Sequence, residues 1–375
     1  MPDPKPLAGI RVVELARVLA GPWCGQLLAD LGAEVVKVER PGAGDDTREW
    51  GPPFVTGTDG ENLGAVYYHS CNRGKMGVAI DIATAEGQAE VRALIADADV
   101  VIENYKVGGL AKYGLDPASL CADFPRLIVC SITGFGQTGP YAHRAGYDFI
   151  IQAMGGAMSL TGEPDGAPQK AGIAYADIFT GMYSTVAILA ALRRRDATAR
   201  GAHIDMALLD CQVGVLANQA ANYLASGTPP KRMGNGHANV VPYQAFATAD
   251  GQLVIAVGND GQFQRLCTIL GEPDWAGEAR FATNAARLAN RGELIPLLAA
   301  KIAGWEAQPL SLALEAEGVP AGPINDIAGV FGDPQVIARE MRFRPDGASV
   351  DGLACPIVID GERMVAATGA PPLAP

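Results

Sequence analysis

Between residues 10 and 136 the chain alternates short apolar strands with helical segments, and this alternation limits the possible folds more than any other feature. The strand-like segments are IRVVEL, AEVVKVE, DVVIENY and PRLIVCSITG. Helical segments separate them, among them AGPWCGQLLADLG and EGQAEVRALIADA. Strands joined by crossover helices pair in parallel and are covered on both faces. The pattern therefore predicts an α/β fold whose large domain is built on a Rossmann-like parallel sheet.

A second feature, the Gly- and Pro-rich run SGTPPKRMGNGHAN, predicts a domain boundary. Behind it, YQAFATADGQLVIAVG predicts a β-hairpin with its turn at Asp250-Gly251. We expect a large α/β domain from residues 1-200 and 331-375, and a smaller α+β domain at 227-330 inserted into it. Residues 201-226 are predicted to form a linker helix.

The charge balance excludes some classes of partner. The chain has 29 Lys and Arg against 41 Asp and Glu, a net charge of -12. Nucleic acids and anionic membrane surfaces require a broad basic face, so neither is expected as a partner. A single small polyanion remains compatible with this balance. The N-terminal residues do not resemble a secretory signal, and no apolar stretch reaches the length of a membrane span without interruption.

Cysteine and histidine usage indicates the compartment and argues against a metal site. The seven cysteines are scattered, odd in number and lack a CxxC pair, which favours reduced thiols and a cytoplasmic location. The four histidines are far apart and form no HxH or HxxxH motif, so no metal site is expected. The first β-α turn, ARVLAGPWCG, lacks the GxGxxG dinucleotide motif.

Asp177 is the strongest candidate nucleophile that the residues themselves offer. Dispersed histidines and the lack of GxSxG argue against a serine hydrolase triad. Asp177 lies between the apolar run AGIAYA and an apolar helix that begins DIFTG, with Gly172 and Gly181 on either side. A carboxylate there should stay ionised beside the helix N-terminus yet be poorly hydrated, which suits a nucleophile. The alternative is a helix cap, a common role for such an aspartate, and the two roles are compatible.

Long blocks of the chain carry a family resemblance. The most informative are LAGIRVVELARVLAGPWCGQLLADLGAEVVKVERPGAGDDTR, GKMGVAIDI, ENYKVGGLAKYGLD and SITGFGQTGPYAHRAGYDFIIQAMGGAMSLTGEPDGAPQKAGIAYADIFTG. They resemble family III CoA-transferases, which include formyl-CoA, carnitine and succinate-hydroxymethylglutarate transferases and, as relatives, 2-methylacyl-CoA racemases. The resemblance covers essentially the whole chain. ANYL, VPYQAF, VGNDGQF, GVPAGPIN and VFGDPQV are most similar to the dicarboxylate branch, which moves CoA between succinate and glutarate-type acids.

The resemblance implies a mechanism centred on Asp177. In this family the matching aspartate attacks the donor thioester to give a mixed anhydride, and the CoA thiolate then forms an aspartyl-CoA thioester. The acceptor carboxylate reverses both steps, so the thioester energy is conserved if water is excluded. The resemblance also implies CoA and acyl-CoA as substrates, no permanently bound cofactor, and an interlocked homodimer.

The resemblance further implies a CoA-binding groove. Its expected residues are Val18 against the pantetheine arm, Arg40 at the adenosine end, Ile80 against the adenine, Asn104 and Tyr105 along the nucleotide, and Lys112 facing a phosphate. Lys112 replaces the usual arginine, keeping the charge without the bidentate fork. Ala83 and Ala145 stand where the formyl-CoA branch has lysines, so Arg73 or Lys75 is expected to substitute. The alternative for each cation is a solvated surface charge.

Four further residues are expected near the acyl group. Trp50 and Tyr67 match aromatic residues of the family's acyl pocket, with burial in the core as the rival interpretation. Gly234 and Gly236 match the glycine-rich loop that covers the acyl intermediate, although GNG is equally typical of a linker turn. For the distal carboxylate of a dicarboxylate, Arg48, Arg73 and Gln244 are the candidates.

Two other functions compete with CoA transfer. Racemases of the family use a histidine whose counterpart here is Tyr147, and a tyrosine with a pKa near ~10 is a poor base at neutral pH. His143 is four positions away and would face another direction. A non-catalytic CoA-binding subunit is the second alternative, which the presence of Asp177 disfavours. The sequence therefore favours a CoA-transferase.

Overall fold

The computed structural model describes residues 4–374. The strands, in chain order, are β1 (Arg11–Glu14), β2 (Glu34–Glu39), β3 (Phe54–Thr56), β4 (Asn62–Ala65), β5 (Lys75–Ala79), β6 (Val100–Glu103), β7 (Ile128–Thr133), β8 (Ala202–Ala207), β9 (Tyr243–Ala247), β10 (Gln252–Ala256), β11 (Ala321–Pro323), β12 (Arg342–Phe343), β13 (Gly352–Leu353), β14 (Val358–Ile359) and β15 (Glu362–Arg363).

The helices, in chain order, are α1 (Ala20–Asp30), α2 (Val66–His69), α3 (Ala85–Ala96), α4 (Pro117–Asp123), α5 (Asp148–Met154), α6 (Ala157–Leu160), α7 (Tyr175–Thr198), α8 (Leu208–Gly214), α9 (Ala217–Ser226), α10 (Asp260–Ile269), α11 (Asn284–Ala289), α12 (Arg291–Ile302), α13 (Ala307–Ala316), α14 (Ile327–Gly332) and α15 (Pro334–Ala338).

The described residues form two compact units. The first comprises 4–158, 170–228 and 334–374, and the second comprises 159–169 and 229–333. The first unit contains a six-stranded sheet in the order β5-β2-β1-β6-β7-β8, in which every neighbouring pair is parallel. Numbered among themselves, these strands follow the 3-2-1-4-5-6 order of doubly wound nucleotide-binding sheets. The predicted α/β fold with a parallel sheet is confirmed.

The sheet is buried on both faces, as its continuous apolar strands require. Successive residues of a strand point to opposite faces. Val12 accordingly packs in a core with helix residues such as Leu28 and Ile188, while Val13 packs in a second core that includes Val91 and Leu120. Two helical layers therefore cover the sheet.

The strand order also creates a crevice. The chain leaves β1 toward β2 on one side and reaches β6 on the other, so the order reverses between β1 and β6. Ligands of open α/β sheets bind at such a point, beyond the carboxyl ends of the strands. The turn that contains Val18 follows β1, and Asn104 follows β6 directly. Both residues that the family resemblance placed in a CoA groove thus lie at the reversal.

The second unit is an α+β structure with a core of its own. Strands β9, β10 and β11 form an antiparallel sheet in the order β11-β10-β9. The hairpin predicted around Asp250-Gly251 is confirmed, because Ala247 pairs with Gln252 across that turn. Phe246 and Leu253 of the sheet pack with Phe263 and Leu298 of the helices, all of them buried.

The structure corrects the predicted layout at two places. Residues 201-226 are not a linker helix, because 202–207 form β8 and pair in parallel with β7. Ala, Met and Leu favour a helix in isolation, but sheet pairing overrides that propensity here. Residues 159–169 join the second unit instead of the large domain. Hydrogen bonds from Arg232 to Glu163 O and Gly166 O, and from Gly234 N–H to Gly162 O, hold this segment.

Helix α7 is long and apolar enough to be compared with a membrane span. By length and composition, Tyr175–Thr198 could cross a membrane, and no other helix in residues 4–374 meets that test. However, 44% of its apolar segment is buried in the protein, where α7 packs against α1.

All seven cysteines are free, and six of them are buried, as reduced thiols were predicted to be.

Candidate active site

Asp177 lies in the first turn of α7 and lines a cavity of about 420 Å³ at the carboxyl ends of the sheet strands. Four of the residues predicted to bind CoA line the same cavity: Val18, Asn104, Tyr105 and Lys112. These residues follow β1 and β6, while Asp177 belongs to a helix that packs against β7 and β8. The structure therefore brings together residues that are more than 150 positions apart in sequence.

The two remaining predicted CoA residues, Arg40 and Ile80, line a neighbouring cavity of about 290 Å³. Arg17, Tyr105 and Tyr113 line both cavities, so the two are adjacent. Ile80 follows β5 and Thr133 ends β7, four strand spacings away, or ~19 Å at the usual separation of strands. The two cavities thus follow the sheet edge over a length that suits an extended ligand.

Val18 has an unusual backbone conformation at the centre of this edge. Its φ is +72°, in the left-handed region that β-branched residues rarely adopt. Such a conformation costs on the order of 1–3 kcal/mol and persists only where surrounding contacts hold it. The Val18 N–H donates to the carboxylate of Asp45, at 3.2 Å to Oδ2 and 3.3 Å to Oδ1. This contact fixes the turn that forms one wall of the cavity.

The helix cap at Asp177 comes from a different aspartate. Oδ1 of Asp148 accepts hydrogen bonds from the backbone N–H groups of Ala176, at 2.9 Å, and of Asp177, at 3.4 Å. Gln152 donates to the other Asp148 oxygen at 2.7 Å. Within residues 4–374 no hydrogen bond to the Asp177 carboxyl group is found. The interpretation of Asp177 as a helix cap is therefore wrong. Its carboxyl group makes no capping hydrogen bond in the described part of the chain and remains available to a ligand in the cavity.

The environment of Asp177 also corrects the expectation that it stays fully ionised. Burial first, and then the nearby charge of Asp148, raise the pKa of Asp177 to about 7. The favourable helix dipole does not prevent this shift, because Asp148 already occupies the positive end of the helix. Near neutral pH the carboxyl group is therefore divided between its two protonation states, and its carboxylate is more basic than that of an ordinary aspartate.

Replacing Asp148 by asparagine should lower the pKa of Asp177. The amide oxygen can still accept the two N–H bonds, but the like charge is lost while burial remains. Carboxyl-carbon NMR of the labelled protein across pH would measure this pKa. Asp205→Asn is the matched control, because Asp205 also accepts a backbone N–H, from Gln137, and does not contribute to the shift of Asp177. An unchanged Asp177 pKa in Asp148→Asn would contradict the assigned cause.

Trp50 and Tyr67 form an aromatic pair close to Asp177. Their ring centroids are 5.3 Å apart in an edge-to-face arrangement. Trp50 is 46% exposed, so burial in the core is excluded for this residue. Tyr67 is half-buried, and its burial and then the charge of Asp177 raise its pKa to about 12. Tyr67 therefore lies near enough to Asp177 for the charge of Asp177 to affect its pKa, although neither ring is among the described residues that line the larger cavity.

Gly234 and Gly236 lie in the second unit, outside its strands and helices. Gly234 has φ +55° and donates its N–H to Gly162 O at 3.1 Å. The Gly236 N–H donates to Met233 O at 2.9 Å, which closes a tight turn. The conformation at Gly234 suits glycine. That this turn covers the acyl intermediate stays a prediction.

Three of the expected anion-binding side chains are buried and already paired. Arg73 contacts Asp30 at 2.6 Å, Lys75 contacts Glu14 at 2.8 Å, and Arg48 contacts Glu39 at 2.7 Å. Each is a structural ion pair without access to a ligand. The suggestions that Arg73 or Lys75 replaces the missing lysines, and that Arg48 or Arg73 binds a distal carboxylate, are therefore wrong. Gln244 lies on β9 of the second unit, and its role stays a prediction.

Besides Arg17, which forms an ion pair with Asp46 at 2.6 Å, sequence reasoning missed two cations of the site, Lys106 and Arg144, which both line the larger cavity. Within residues 4–374, neither they nor Lys112 and Arg40 form an ion pair with an acidic side chain. The Arg144 guanidinium lies 4.6 Å from the ring centre of Tyr141 and 5.3 Å from that of Phe135, so stacking restricts its position. A locally positive edge thus exists in an acidic chain.

The residues relevant to proton transfer are also placed. Tyr147 lines the cavity and is 61% exposed, whereas His143 is not among the described lining residues. No group of three or more His, Cys, Asp or Glu in residues 4–374 is arranged to hold a metal ion. The cavity therefore offers one basic carboxylate, several cations and a tyrosine hydroxyl, a set that suits reaction with an anionic, electrophilic substrate.

Comparisons with known proteins agree with this geometry. The family described as CoA-transferase family III matches residues 7–374. A succinate-glutarate CoA-transferase of Agrobacterium fabrum is 59% identical, over 96% of this chain and 91% of that protein. A succinyl-CoA:glutarate CoA-transferase of Mus musculus is 45% identical, over 94% and 79%. A crystal structure of a CAIB/BAIF family protein from Brucella suis matches with a TM-score of 0.88 and 58% identity, covering 99% of this chain and 97% of that one.

Proposed function

The chain belongs to CoA-transferase family III and is an enzyme that transfers CoA, and we propose that it moves CoA from succinyl-CoA to a small dicarboxylic acid of the glutarate type. The observation that carries this proposal is the position of Asp177, whose carboxyl group lines a cavity that continues toward Arg40 along the sheet edge. The relatives that act on succinate and glutarate support the choice of dicarboxylates.

The proposed chemistry proceeds through Asp177 in two covalent stages. A carboxylate oxygen attacks the thioester carbonyl carbon, the C–S bond breaks, and a mixed anhydride and CoA thiolate result. The thiolate attacks the Asp177 carbonyl carbon, which releases succinate and leaves an aspartyl-CoA thioester. The acceptor carboxylate attacks this thioester, and the thiolate then attacks the acceptor carbonyl of the new anhydride. The acceptor acyl-CoA leaves, and the Asp177 carboxylate is restored without net uptake of protons.

The surroundings of Asp177 favour this reaction. A carboxylate whose pKa lies near 7 is a stronger nucleophile than an ordinary aspartate and is still substantially ionised at neutral pH. Water would hydrolyse the anhydride or the thioester, so it must be kept away. We assign this task to the apolar surface of Trp50 and Tyr67, and the family resemblance assigns the role of a lid to Gly234 and Gly236.

CoA is proposed to lie along the two cavities with its thiol end at Asp177. Ile80 and Arg40 would contact the adenosine end, Asn104 and Tyr105 the middle, Lys112 a phosphate, and Val18 the pantetheine arm. Cations at these points can bind the three phosphates despite the acidic net charge, because recognition depends on local potential. As part of the same proposal, the family resemblance supports an interlocked homodimer. The free thiols support a cytoplasmic location.

Arg144 is proposed to bind the distal carboxylate of the acyl group or acceptor. It follows β7, on the Asp177 side of the cavity, whereas Lys106 and Lys112 follow β6, nearer Arg40. A planar guanidinium held on aromatic rings is well suited to bind a carboxylate through two hydrogen bonds. This assignment replaces the buried Arg48 and Arg73.

A screen of acceptors tests the proposed function. The enzyme is incubated with succinyl-CoA and a panel of mono- and dicarboxylates, and the acyl-CoA products are separated by chromatography. We expect glutarate and similar dicarboxylates to react at least about tenfold faster, in kcat/KM, than monocarboxylates of equal length, because one lost ionic contact costs 1.4 kcal/mol or more. Transfer only to monocarboxylates would contradict the proposal. Solvent deuterium entering the 2-position without any acceptor would indicate a racemase instead.

A further inference from the structure

Behind the cavity lies a buried group of charges formed by Glu14, Lys37 and Asp45. All three side chains are essentially inaccessible to solvent. The Lys37 ammonium donates to Glu14 Oε1 at 3.0 Å and to the Ala16 carbonyl at 2.9 Å, and it lies 3.0 Å from Asp45 Oδ2. Its three protons thus have three acceptors, and Lys75, which donates to Glu14 Oε1 at 3.0 Å, supplies a second buried positive charge to the group.

The position of this group follows from the sheet. Glu14 is the last residue of β1 and pairs in register with Lys37 on β2, so both side chains point to the same face where β1 ends. Burial acts to raise the pKa of Asp45, but the charge of Lys37 and hydrogen bonds from Thr47 outweigh it and keep the pKa below its ordinary value. Lys37, a residue of β2, therefore keeps Asp45 in its anionic form. Asp45 in turn is the residue that contacts Val18 at the cavity wall.

Asp45 connects the buried group to the cavity. Its carboxylate accepts the Thr47 N–H at 3.0 Å and the Thr47 hydroxyl at 2.8 Å, which fixes its own loop. It also accepts the Val18 N–H, at the residue whose φ of +72° is unfavourable for valine. Asp45 itself lines the smaller cavity but not the larger one, whereas Val18 lines the larger one. A side chain outside the larger cavity thus determines the shape of that cavity's wall, and the double-mutant cycle below separates this effect from a direct contact of Asp45 in the smaller cavity.

We propose that Asp45, anchored by Lys37 and Glu14, is a positioning residue that holds Val18 in its left-handed conformation and so shapes the surface that receives the thioester arm of CoA. The inference rests on the proposed function only for the identity of that ligand. It predicts that loss of Asp45 weakens CoA binding through Val18, beyond any general loss of stability.

The test measures CoA binding directly, so that it does not depend on the acceptor or on transfer. Asp45→Ala should raise the dissociation constant of CoA about tenfold, and Asp45→Asn, which keeps one acceptor oxygen, about threefold. Asp30→Asn is the matched control, because Asp30 forms an equally buried ion pair with Arg73 in the same unit, away from the cavity. It should lower the unfolding temperature comparably and leave CoA affinity within about twofold.

A double-mutant cycle tests whether Asp45 acts through Val18. Glycine adopts positive φ without strain, so Asp45→Asn should weaken CoA binding less in a Val18→Gly background than in the wild type. Additive effects would overturn the inference, as would an Asp45→Asn variant that loses stability but binds CoA normally. If Asp45→Ala does not fold, the Asp45→Asn variant and the cycle decide. If the acceptor screen fails but the Asp45 variants still bind CoA more weakly as expected, the proposed substrate is wrong and the inference about Asp45 still holds.

Discussion

Asp177→Asn is expected to abolish CoA transfer, lowering kcat by at least about 10⁴-fold. The amide nearly matches the carboxyl group in size but cannot attack a thioester. Steady-state formation of the new acyl-CoA measures the loss. In the wild type, incubation with acyl-CoA and hydroxylamine should give a modified peptide around Asp177, which the variant should lack. Full activity of Asp177→Asn would refute the proposed mechanism.

The same substitution should stabilise the protein at alkaline pH. Because the folded-state pKa is about 7 and the ordinary value is 3.8, the folded protein binds the proton more tightly than the unfolded chain. Wild-type stability therefore falls as pH rises from about 4 to 7, and the full penalty is present above 7. The shift converts to at most about 4 kcal/mol, and partial exposure of the side chain reduces this to roughly 1–3 kcal/mol.

Urea unfolding of both proteins at pH 5 and pH 8 measures this effect. The free energy of unfolding of Asp177→Asn should exceed that of the wild type more at pH 8 than at pH 5. Asp205→Asn again serves as the control and should show no such growing difference. A stability gain independent of pH would show that the carboxyl group is not the cause. Activity lost together with stability gained is the expected signature of a strained functional group.

The sequence carried enough information for the fold of the first unit because local pattern and tertiary structure agree there. Apolar runs such as those at β1, β6 and β7 can be satisfied only inside a sheet covered on both faces. Strand β8 escaped detection because AHIDMA alternates in exposure and has helix-forming residues, so only pairing with β7 reveals it. Residues 159–169 were assigned to the wrong domain because the second unit holds them through their backbone carbonyls, and such contacts leave no pattern in the sequence of the segment.

The site divides in the same way. Asp177 could be singled out as the candidate nucleophile because its flanking residues and the family motifs point to one position. Its raised pKa could not be predicted, because the shift depends first on burial in the folded chain and then on Asp148 approaching from another helix. The sequence suggested that Arg73 and Lys75 could bind an anionic ligand. In the structure they form ion pairs with Asp30 and Glu14 instead. Burial and pairing are properties of the folded chain, and they decide which cations a ligand can reach.

Arg144 should determine the preference for dicarboxylates, and Arg144→Gln is expected to lower kcat/KM for glutarate about 100-fold. The estimate corresponds to ~2.7 kcal/mol, as expected for loss of a charge-assisted bidentate contact in a partly enclosed site. The dissociation constant of CoA should stay within about twofold, because CoA phosphates are assigned to other cations. Acceptor kinetics with succinyl-CoA and direct CoA titration separate the two effects.

Lys112→Gln is the matched control, since Lys112 is an unpaired cation of the same cavity that follows β6 instead of β7. It should weaken CoA binding about tenfold and leave the ratio of kcat/KM for glutarate over that for a monocarboxylate of equal length unchanged. Arg144→Gln should reduce that ratio toward one. If Arg144→Gln weakened CoA binding as Lys112→Gln does and left the ratio intact, Arg144 would be a phosphate contact, and the distal carboxylate would have to be bound elsewhere.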